Sequence, residues 1–290
     1  MIKILVTGGR GQLAQCLNDV VRKHASQDVD FQDPPALDIT NVQQLTSYFS
    51  KNKLDYCINC AAFTAVDLAE EQSELVYTVN AEGPKNIAML CQKYNVTLIQ
   101  ISTDFVFDGK KDIPYLETDT TNPLSVYGAS KLQGEQNIQH NMENYFIIRT
   151  SWLYSMHGNN FLKTMLKLSE THKQLNVVSD QIGSPTYAGD LAEFLIKIVF
   201  SSSTNYGVYH YSNSGAISWY DFACGIFTKF EKNVDVRPIK TKEHPTAARR
   251  PRFSVLDTKK SEKTFRCTIN DWQGSLDETT QTNLFNKEQP

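Results

Sequence analysis

The chain predicts an α/β fold in which a doubly wound parallel sheet carries helices on both faces and a smaller C-terminal α/β region follows. Three observations predict it. An apolar strand-like segment, Lys3 to Thr7, runs straight into Gly8-Gly9-Arg10-Gly11-Gln12-Leu13-Ala14 and a helix-like stretch from Gln12 to His24. Strand-like and helix-like segments then alternate as βαβαβαβαβ into Thr150, the pattern of a parallel sheet. Small or hydroxylated residues end the later strands, at Asn59-Cys60-Ala61-Ala62 and Ser102-Thr103-Asp104, where sheets of this kind bind ligands.

The first turn has a Rossmann-type logic. Gly8 allows a tight turn, Gly11 lets a pyrophosphate approach the backbone, and Ala14 is small enough for the helix to pack on the sheet. The free N–H groups of the helix start face the phosphates. The spacing is Gly-x-x-Gly-x-x-Ala, not the commoner Gly-x-Gly-x-x-Gly, so an ordinary βα turn is the competing reading. A second strand falls near Val29 to Phe31. An acidic residue at its tip would bind the adenosine ribose of NAD, and an arginine would favour NADP. Asp30 and Asp33 are the candidates, neither clearly at a strand tip; Arg10, in the glycine turn, could instead meet a 2′-phosphate, and the NADH-or-NADPH choice stays open.

Asp38-Ile39 precedes a helix from Asn41 to Lys51 and falls near the adenine edge. Leu54 to Ala61 is the third strand, Phe63 to Asp67 the loop after it, and Ser73 to Asn95 a long helix. Val96 to Ser102 is the fourth strand, and its end, Ser102-Thr103-Asp104, carries hydroxyls where the ligand crevice should be, although taken alone these residues read as turn chemistry closing the strand. Lys110 to Pro123, with Pro114 and Pro123, reads as a long loop. A helix then runs from Tyr127 to about His140, and Tyr145 to Thr150 is the fifth strand. Past residue 170 the pattern loosens: a strand at Leu175 to Val178, a turn-rich loop from Asp180 to Thr186, an apolar helix from Asp190 to Phe200, a strand from Gly207 to Ser212 and an amphipathic helix from Ile217 to Phe230. The expected division is 1–170 as the dinucleotide-binding domain, completed by parts of 186–212, and 171–290 as mainly the substrate-binding domain. The last residues turn polar, and the final six read as frayed.

Composition narrows the function classes. The net charge of -3 among 290 residues offers no basic field for nucleic acid or anionic lipid. The one basic cluster, Ala247 to Arg252, is too short for a nucleic-acid surface. No run reaches the ~18 apolar residues of a membrane span, and the apolar start is too short for a signal peptide, so a cytoplasmic location is expected. Cys57 and Cys60 form a Cys-x-x-Cys, but on a strand a spacing of three sends the side chains to opposite faces. The six histidines show no ligand spacing, and no metal is expected.

Tyr127 and Lys131, four apart on a helix, share one face. A phenol beside an ammonium is a plausible proton donor for alcohol–ketone interconversion. With Gly8-x-x-Gly11 upstream and Ser102-Thr103 ending a strand between them, the chain resembles the extended branch of the short-chain dehydrogenase/reductases. The resemblance narrows at Ser102 to Gly109, Pro123 to Gly128, Lys131 to Glu135, Arg149 to Tyr154, Asn160-Phe161 and Asp180 to Thr186. These segments are similar to the dTDP-4-dehydrorhamnose reductases across about residues 2 to 257.

The resemblance implies NADPH or NADH as cofactor and a dTDP-sugar as substrate. Tyr127 would give the proton to the 4-keto oxygen, Lys131 would bind the nicotinamide ribose and lower the Tyr127 pKa, and Thr103 would hydrogen-bond the reacting oxygen. Gly8, Gly11, Gln12 and Leu13 would line the pyrophosphate, Asp38 and Ile39 the adenine, and Ala61, Ala62 and Thr64 the middle of the cofactor. Asp104, Trp152, Gln181 and Arg250 would bind substrate, Arg250 by gripping the diphosphate with its planar fork. Some members dimerise through a metal held by glutamates. Cys16 and Gly189 stand at the matching places here, so a homodimer is compatible with the resemblance but a metal bridge is not expected. The rival readings are another nucleotide-sugar 4-ketoreductase or epimerase, and a non-catalytic regulatory subunit of methionine adenosyltransferase type.

Overall fold

The computed structural model describes residues 1–23 and 28–287, with side chains as far as residue 279. The predicted helix end at His24 and the last three residues lie outside the described residues. The strands β1 (Lys3–Thr7), β2 (Asp28–Gln32), β3 (Tyr56–Asn59), β4 (Thr97–Thr103) and β5 (Tyr145–Thr150) join a later strand, Gly207–His210, in one sheet. Its order is Gly207–His210, β5, β4, β3, β1, β2, and every pairing is parallel. The chain steps from β1 outward to β2, then returns to β1's other side as β3. That reversal makes a crevice between the carboxyl ends of β1 and β3.

Both sheet faces are covered. Successive strand residues point to opposite sides. Ile4 and Val6 therefore meet the helices Gln12–Lys23 and Ala188–Ser201. Leu5, Cys57, Leu98 and Ile147 meet residues of Val42–Lys51 and Gly83–Tyr94. Cys57 lies in one of these layers while Cys60 packs against the other, which splits the Cys-x-x-Cys across the sheet. A separate core joins Tyr154, Leu162, Met165, Phe222 and Ile226, below a parallel pair formed by Gln174–Val178 and Asp235–Ile239.

Several elements differ from expectation. The helix predicted over 73–95 is interrupted by a π-helical turn, Thr78–Glu82. That turn exposes the Asn80 side chain to Phe63, which donates its N–H at 2.8 Å and accepts from Nδ2 at 3.1 Å. The loop after β3 contains a short helix, Val66–Ala69. Two C-terminal helices, Lys259–Phe265 and Trp272–Lys287, carry no clear periodic signal in the sequence. Trp272 is instead held by tertiary packing, against Gly215 and Gly225, where a Cβ would come within 2.5 and 2.7 Å of its ring. Among the described residues no helix is long and apolar enough to cross a membrane.

The helix Val126–Asn141 is the element that matters most for the site. Ser125 caps it, accepting from Gly128 N at 3.2 Å. Two glycines bring it close to its neighbours. A Cβ on Gly128 would lie 2.3 Å from Phe105 O, and one on Gly134 would lie 2.3 Å from Asn80 O. One turn beyond Lys131, Glu135 is 2 % exposed. It accepts from Ser102 Oγ at 2.5 Å and from Arg149 Nη2 at 2.6 Å and Nε at 2.9 Å. The Ser102 hydroxyl therefore serves the sheet's interior, not the crevice, because alternation along β4 sends Ser102 and Thr103 to opposite sides.

Removing one partner of a buried pair strands the other's charge. Arg149→Met is expected to cost about 3–5 kcal/mol in chemical denaturation. Adding Glu135→Leu should recover most of that loss. A single variant as stable as the parent would show that the pair does not anchor this helix.

Candidate active site

The crevice between β1 and β3 opens into a cleft of about 540 Å³ lined by Gly8, Gly11, Asp38, Ile39, Ala61 and Ala62, together with Arg10, Asp33 and Pro34. Gly8 has φ +69°, and a Cβ there would lie 2.7 Å from Ala61 N. Gly11 donates to Gly8 O at 2.8 Å, and a Cβ on it would come within 3.0 Å of that same oxygen. A bare backbone turn feeding a helix start, whose first N–H groups have no partner within the helix itself, fits a dinucleotide pyrophosphate. Asp38 Oδ1 is engaged by Thr40 N and Oγ1, both at 2.8 Å.

Five predicted cofactor residues do not line the cleft: Tyr127 and Lys131, which lie at the end of β4, and Gln12, Leu13 and Thr64. Leu13 is buried in the core at 5 % exposure, so only its backbone is available to a phosphate. Gln12 accepts from Asn160 Nδ2 at 2.6 Å. Thr64 is exposed on the loop after β3.

Tyr127, Lys131 and Thr103 come together at the carboxyl end of β4. Tyr127 lies in the first turn of its helix, edge-on to Phe105 with ring centroids 5.7 Å apart. Thr103 ends β4; its Oγ1 accepts from Phe105 N at 3.2 Å and donates to Asp104 Oδ1 at 3.1 Å. Lys131 is 5 % exposed and donates to Ile101 O at 2.6 Å. Burial pushes the Lys131 ammonium down to about 8, against the pull of Glu135 and Cys60. Burial pushes Tyr127 up to about 12, with a Thr103 hydrogen bond acting in the opposite sense. The expected lowering of the phenol by Lys131 is thus reversed: desolvation decides, and the ammonium is turned to Ile101 O. Asp104 is 1 % exposed, and burial raises its carboxyl to about 6 despite hydroxyls from Ser254 and Thr103.

Trp152 lies two residues beyond Thr150, the β5 partner of Thr103. Its backbone is left-handed, with φ +46°. Its indole stacks on Trp219 with centroids 3.5 Å apart and planes 9° from parallel. Gly183 makes room for that indole, since a Cβ there would come within 2.5 Å of Cε2. Gln181 Nε2 donates to Thr241 Oγ1 at 3.1 Å, and Thr241 is held in turn by Asp180. The next residue, Ile182, exchanges backbone bonds with Arg252 and Ser254, so the Gln181 loop and the Arg250 segment are neighbours. Arg250 sets both terminal nitrogens on the Asp67 carboxylate, at 3.0 and 2.7 Å. One N–H of each terminal nitrogen is thus engaged by a carboxylate that Arg250 itself, first among the causes, holds below its ordinary range.

Asp67, Trp219 and Asn80 were not singled out as site residues by sequence. Trp219 read as one apolar position of an amphipathic helix and Asp67 as a loop acid. Neither type of signal distinguishes a residue that meets a site from one that does not.

A family model described as the RmlD substrate binding domain matches residues 2–284. The dTDP-4-dehydrorhamnose reductase of Aggregatibacter actinomycetemcomitans is 41% identical over 286 residues, 95% of this chain and 97% of that protein. A Clostridium acetobutylicum dTDP-4-dehydrorhamnose reductase structure superposes with a TM-score of 0.94 at 43% identity, covering 98% of this chain and 100% of that one. The Bacillus anthracis dTDP-4-dehydrorhamnose reductase in complex with NADP also reaches 0.94, at 37% identity, covering 97% of this chain and 100% of that one.

The glycine turn is directly testable. Gly8→Ala imposes a left-handed backbone on a Cβ, which costs roughly 1–2 kcal/mol before any clash. The added contact with Ala61 N should also close the cleft. Fluorescence titration is expected to show dinucleotide affinity falling at least about tenfold, the equivalent of ~1.4 kcal/mol. Unchanged affinity would remove Gly8 from the cofactor site.

Proposed function

The chain belongs to the RmlD substrate binding domain family, together with the curated dTDP-4-dehydrorhamnose reductases, and we propose that it reduces the 4-keto group of dTDP-4-dehydro-6-deoxy-L-mannose to give dTDP-L-rhamnose. The observation that carries this reading is the meeting of Tyr127, Lys131 and Thr103 at the end of β4, on the carboxyl side of the sheet where the dinucleotide cleft opens.

NADPH or NADH would be held by Gly8, Gly11, Asp38, Ile39, Ala61 and Ala62, with backbone contributions from Gln12 and Leu13 and with Thr64 at the rim. Bound there, the reduced nicotinamide supplies a hydride. Tyr127 keeps its proton at neutral pH, being raised to about 12. It releases that proton only as negative charge develops on the sugar oxygen, which is the behaviour a general acid needs. Thr103 hydrogen-bonds the phenol and would do the same for the reacting oxygen, favouring the charged form of either. Lys131 has three N–H donors, one of which goes to Ile101 O. The others would serve the nicotinamide ribose and balance the phenolate left after proton transfer.

Asp104, Trp152 and Gln181 would shape the sugar site, and Arg250 would meet the diphosphate while Asp67 holds its orientation. Residues 171–290 would contribute most of the substrate side and 1–170 most of the cofactor side. A cytoplasmic setting, where reduced nicotinamide and nucleotide sugars are both at hand, belongs to the same reading.

The test is consumption of NADPH with the dTDP-4-keto sugar, repeated with NADH. Tyr127→Phe is expected to lower kcat about 10²–10⁴-fold while leaving NADPH affinity within about twofold. Near-full turnover by that variant would exclude Tyr127 as the proton donor. Lys131 is charged below its pKa of about 8, so activity should fall as pH rises through 8. Lys131→Arg, which keeps its proton, should retain little activity but lose that alkaline limb. An unchanged limb would assign it to another group.

A further inference from the structure

The loop after β3 touches both the Arg250 segment and the helix that carries Tyr127. Val66–Ala69 is a single helical turn, closed by Ala69 N on Ala65 O at 2.9 Å. Asp67 reaches from it to the C-terminal half of the chain, where its carboxylate takes Ala248 N and both terminal nitrogens of Arg250. Glu70, the residue that caps the turn, reaches elsewhere: its Oε1 accepts from Val126 N at 2.9 Å. Val126 is the first residue of its helix and the neighbour of Tyr127. The start of the loop is tied to the same helix. Asn80 pairs with the Phe63 backbone. Its Nδ2 also donates to Ser130 Oγ at 3.1 Å, and Ser130 Oγ donates to Tyr127 O at 2.8 Å.

A guanidinium carries five N–H donors in one plane. Arg250 Nη1 gives one to Asp67 Oδ1 at 3.0 Å and directs another at Ala248 O, 3.2 Å away. Nη2 gives one to Asp67 Oδ2 at 2.7 Å. The second N–H of Nη2 and that of Nε have no acceptor among the described residues. In a planar guanidinium these two run parallel and form an edge that grips an oxyanion with two hydrogen bonds. Asp67 thus holds one edge of Arg250 and leaves the adjacent edge to a ligand. An anion there and the Asp67 carboxylate fix one another through a single rigid group. We propose that residues 63–70 relay occupation of the free Arg250 edge to Tyr127, and that Asp67 and Glu70 are positioning residues for the proton transfer. This rests on the reading that Arg250 meets the substrate's diphosphate and that Tyr127 gives the proton. The diphosphate takes no part in the bond changes, so its binding free energy raises kcat only if the protein carries it to the reacting groups. A fastened amide one residue from the proton donor is such a route, because small displacements of a donor lower the rate steeply.

The experiment combines steady-state kinetics on the dTDP-4-keto sugar, calorimetric titration with dTDP, and hydrogen exchange of the full chain with and without dTDP. In the wild type, dTDP should slow exchange of the backbone amides in 126–130. Glu70→Ala leaves every Arg250 contact in place. It should lower kcat about tenfold or more, abolish the dTDP-dependent slowing, and keep dTDP affinity within about twofold. Glu70→Gln keeps an acceptor for Val126 N and should hold kcat within about threefold of the wild type. Asp67→Asn leaves one acceptor oxygen where there were two, and should lower kcat by as much as Glu70→Ala. The two losses should not add in the Asp67→Asn/Glu70→Ala double variant, because both break one chain of contacts. Additive losses, or full kcat in Glu70→Ala, would overturn the relay. So would exchange in 126–130 of the wild type that does not respond to bound dTDP. Arg250→Ala separates the two readings. Wild-type dTDP affinity in that variant would refute the diphosphate assignment and the relay with it, whereas weakened dTDP binding alongside additive losses refutes the relay alone.

Discussion

One buried carboxylate sets where the reactive groups stand. Glu135 ties the helix Val126–Asn141 to two strands at once, through Ser102 on β4 and Arg149 on β5. A charge this deeply buried is tolerable only with a paired cation and satisfied lone pairs, so the helix has little freedom to slide or rotate. Lys131 lies one turn earlier on the same helix and meets the carbonyl of Ile101, the residue before Ser102. Two adjacent residues of β4 thus receive two successive turns of the helix. Gly128 and Gly134 let the neighbouring backbones close in on both sides. The positions of Tyr127 and Lys131 follow from that clamp more than from the helix's own propensity.

The same burial that builds the clamp sets the protonation states. Burial at the end of β4 disfavours charged forms: the Tyr127 phenol is raised, the Lys131 ammonium lowered and the Asp104 carboxyl raised. Glu135 opposes the shift at Lys131 by its negative charge. A single residue therefore holds the helix in place and favours the charged form of Lys131. Structure and chemistry are coupled here because low dielectric strengthens both the ion pair and the penalty on an unpaired charge.

The second half of the chain reaches this centre through short, specific contacts. Asp67 grips Arg250 and also accepts from Ala248 N at 3.0 Å. Three residues on, Glu70 accepts from Val126 N at 2.9 Å. One short helix, Val66–Ala69, and its C-cap Glu70 thereby connect the Arg250 segment to the start of the Tyr127 helix. Trp152 is flattened between Trp219 and Gly183, so its indole is set by packing before any ligand contact is made.

Local chemistry and periodicity were enough to read the sheet-and-helix class, the glycine turn and the placing of Tyr127 and Lys131 on one helix. Each depends on residues near one another in the chain: a strand running into Gly8 and Gly11, and a spacing of four on one helix. The sequence by itself could not rank Asp30 against Asp33. Pairing β2 with β1 sets Asp30 opposite Leu5 inside the strand and leaves Asp33 beyond its last residue, at the cleft. Nor could it show that Ser102 turns away from the crevice, that Asp67 occupies the Arg250 fork, or that a π-helical turn aims Asn80 at Phe63. These depend on contacts between segments 14 to 183 residues apart, formed only once burial has chosen which faces meet. The chain's local order determined what chemistry is present. Long-range packing decided which polar groups hold one another and which face the ligands, because only in the folded molecule does desolvation decide which of them must be paired.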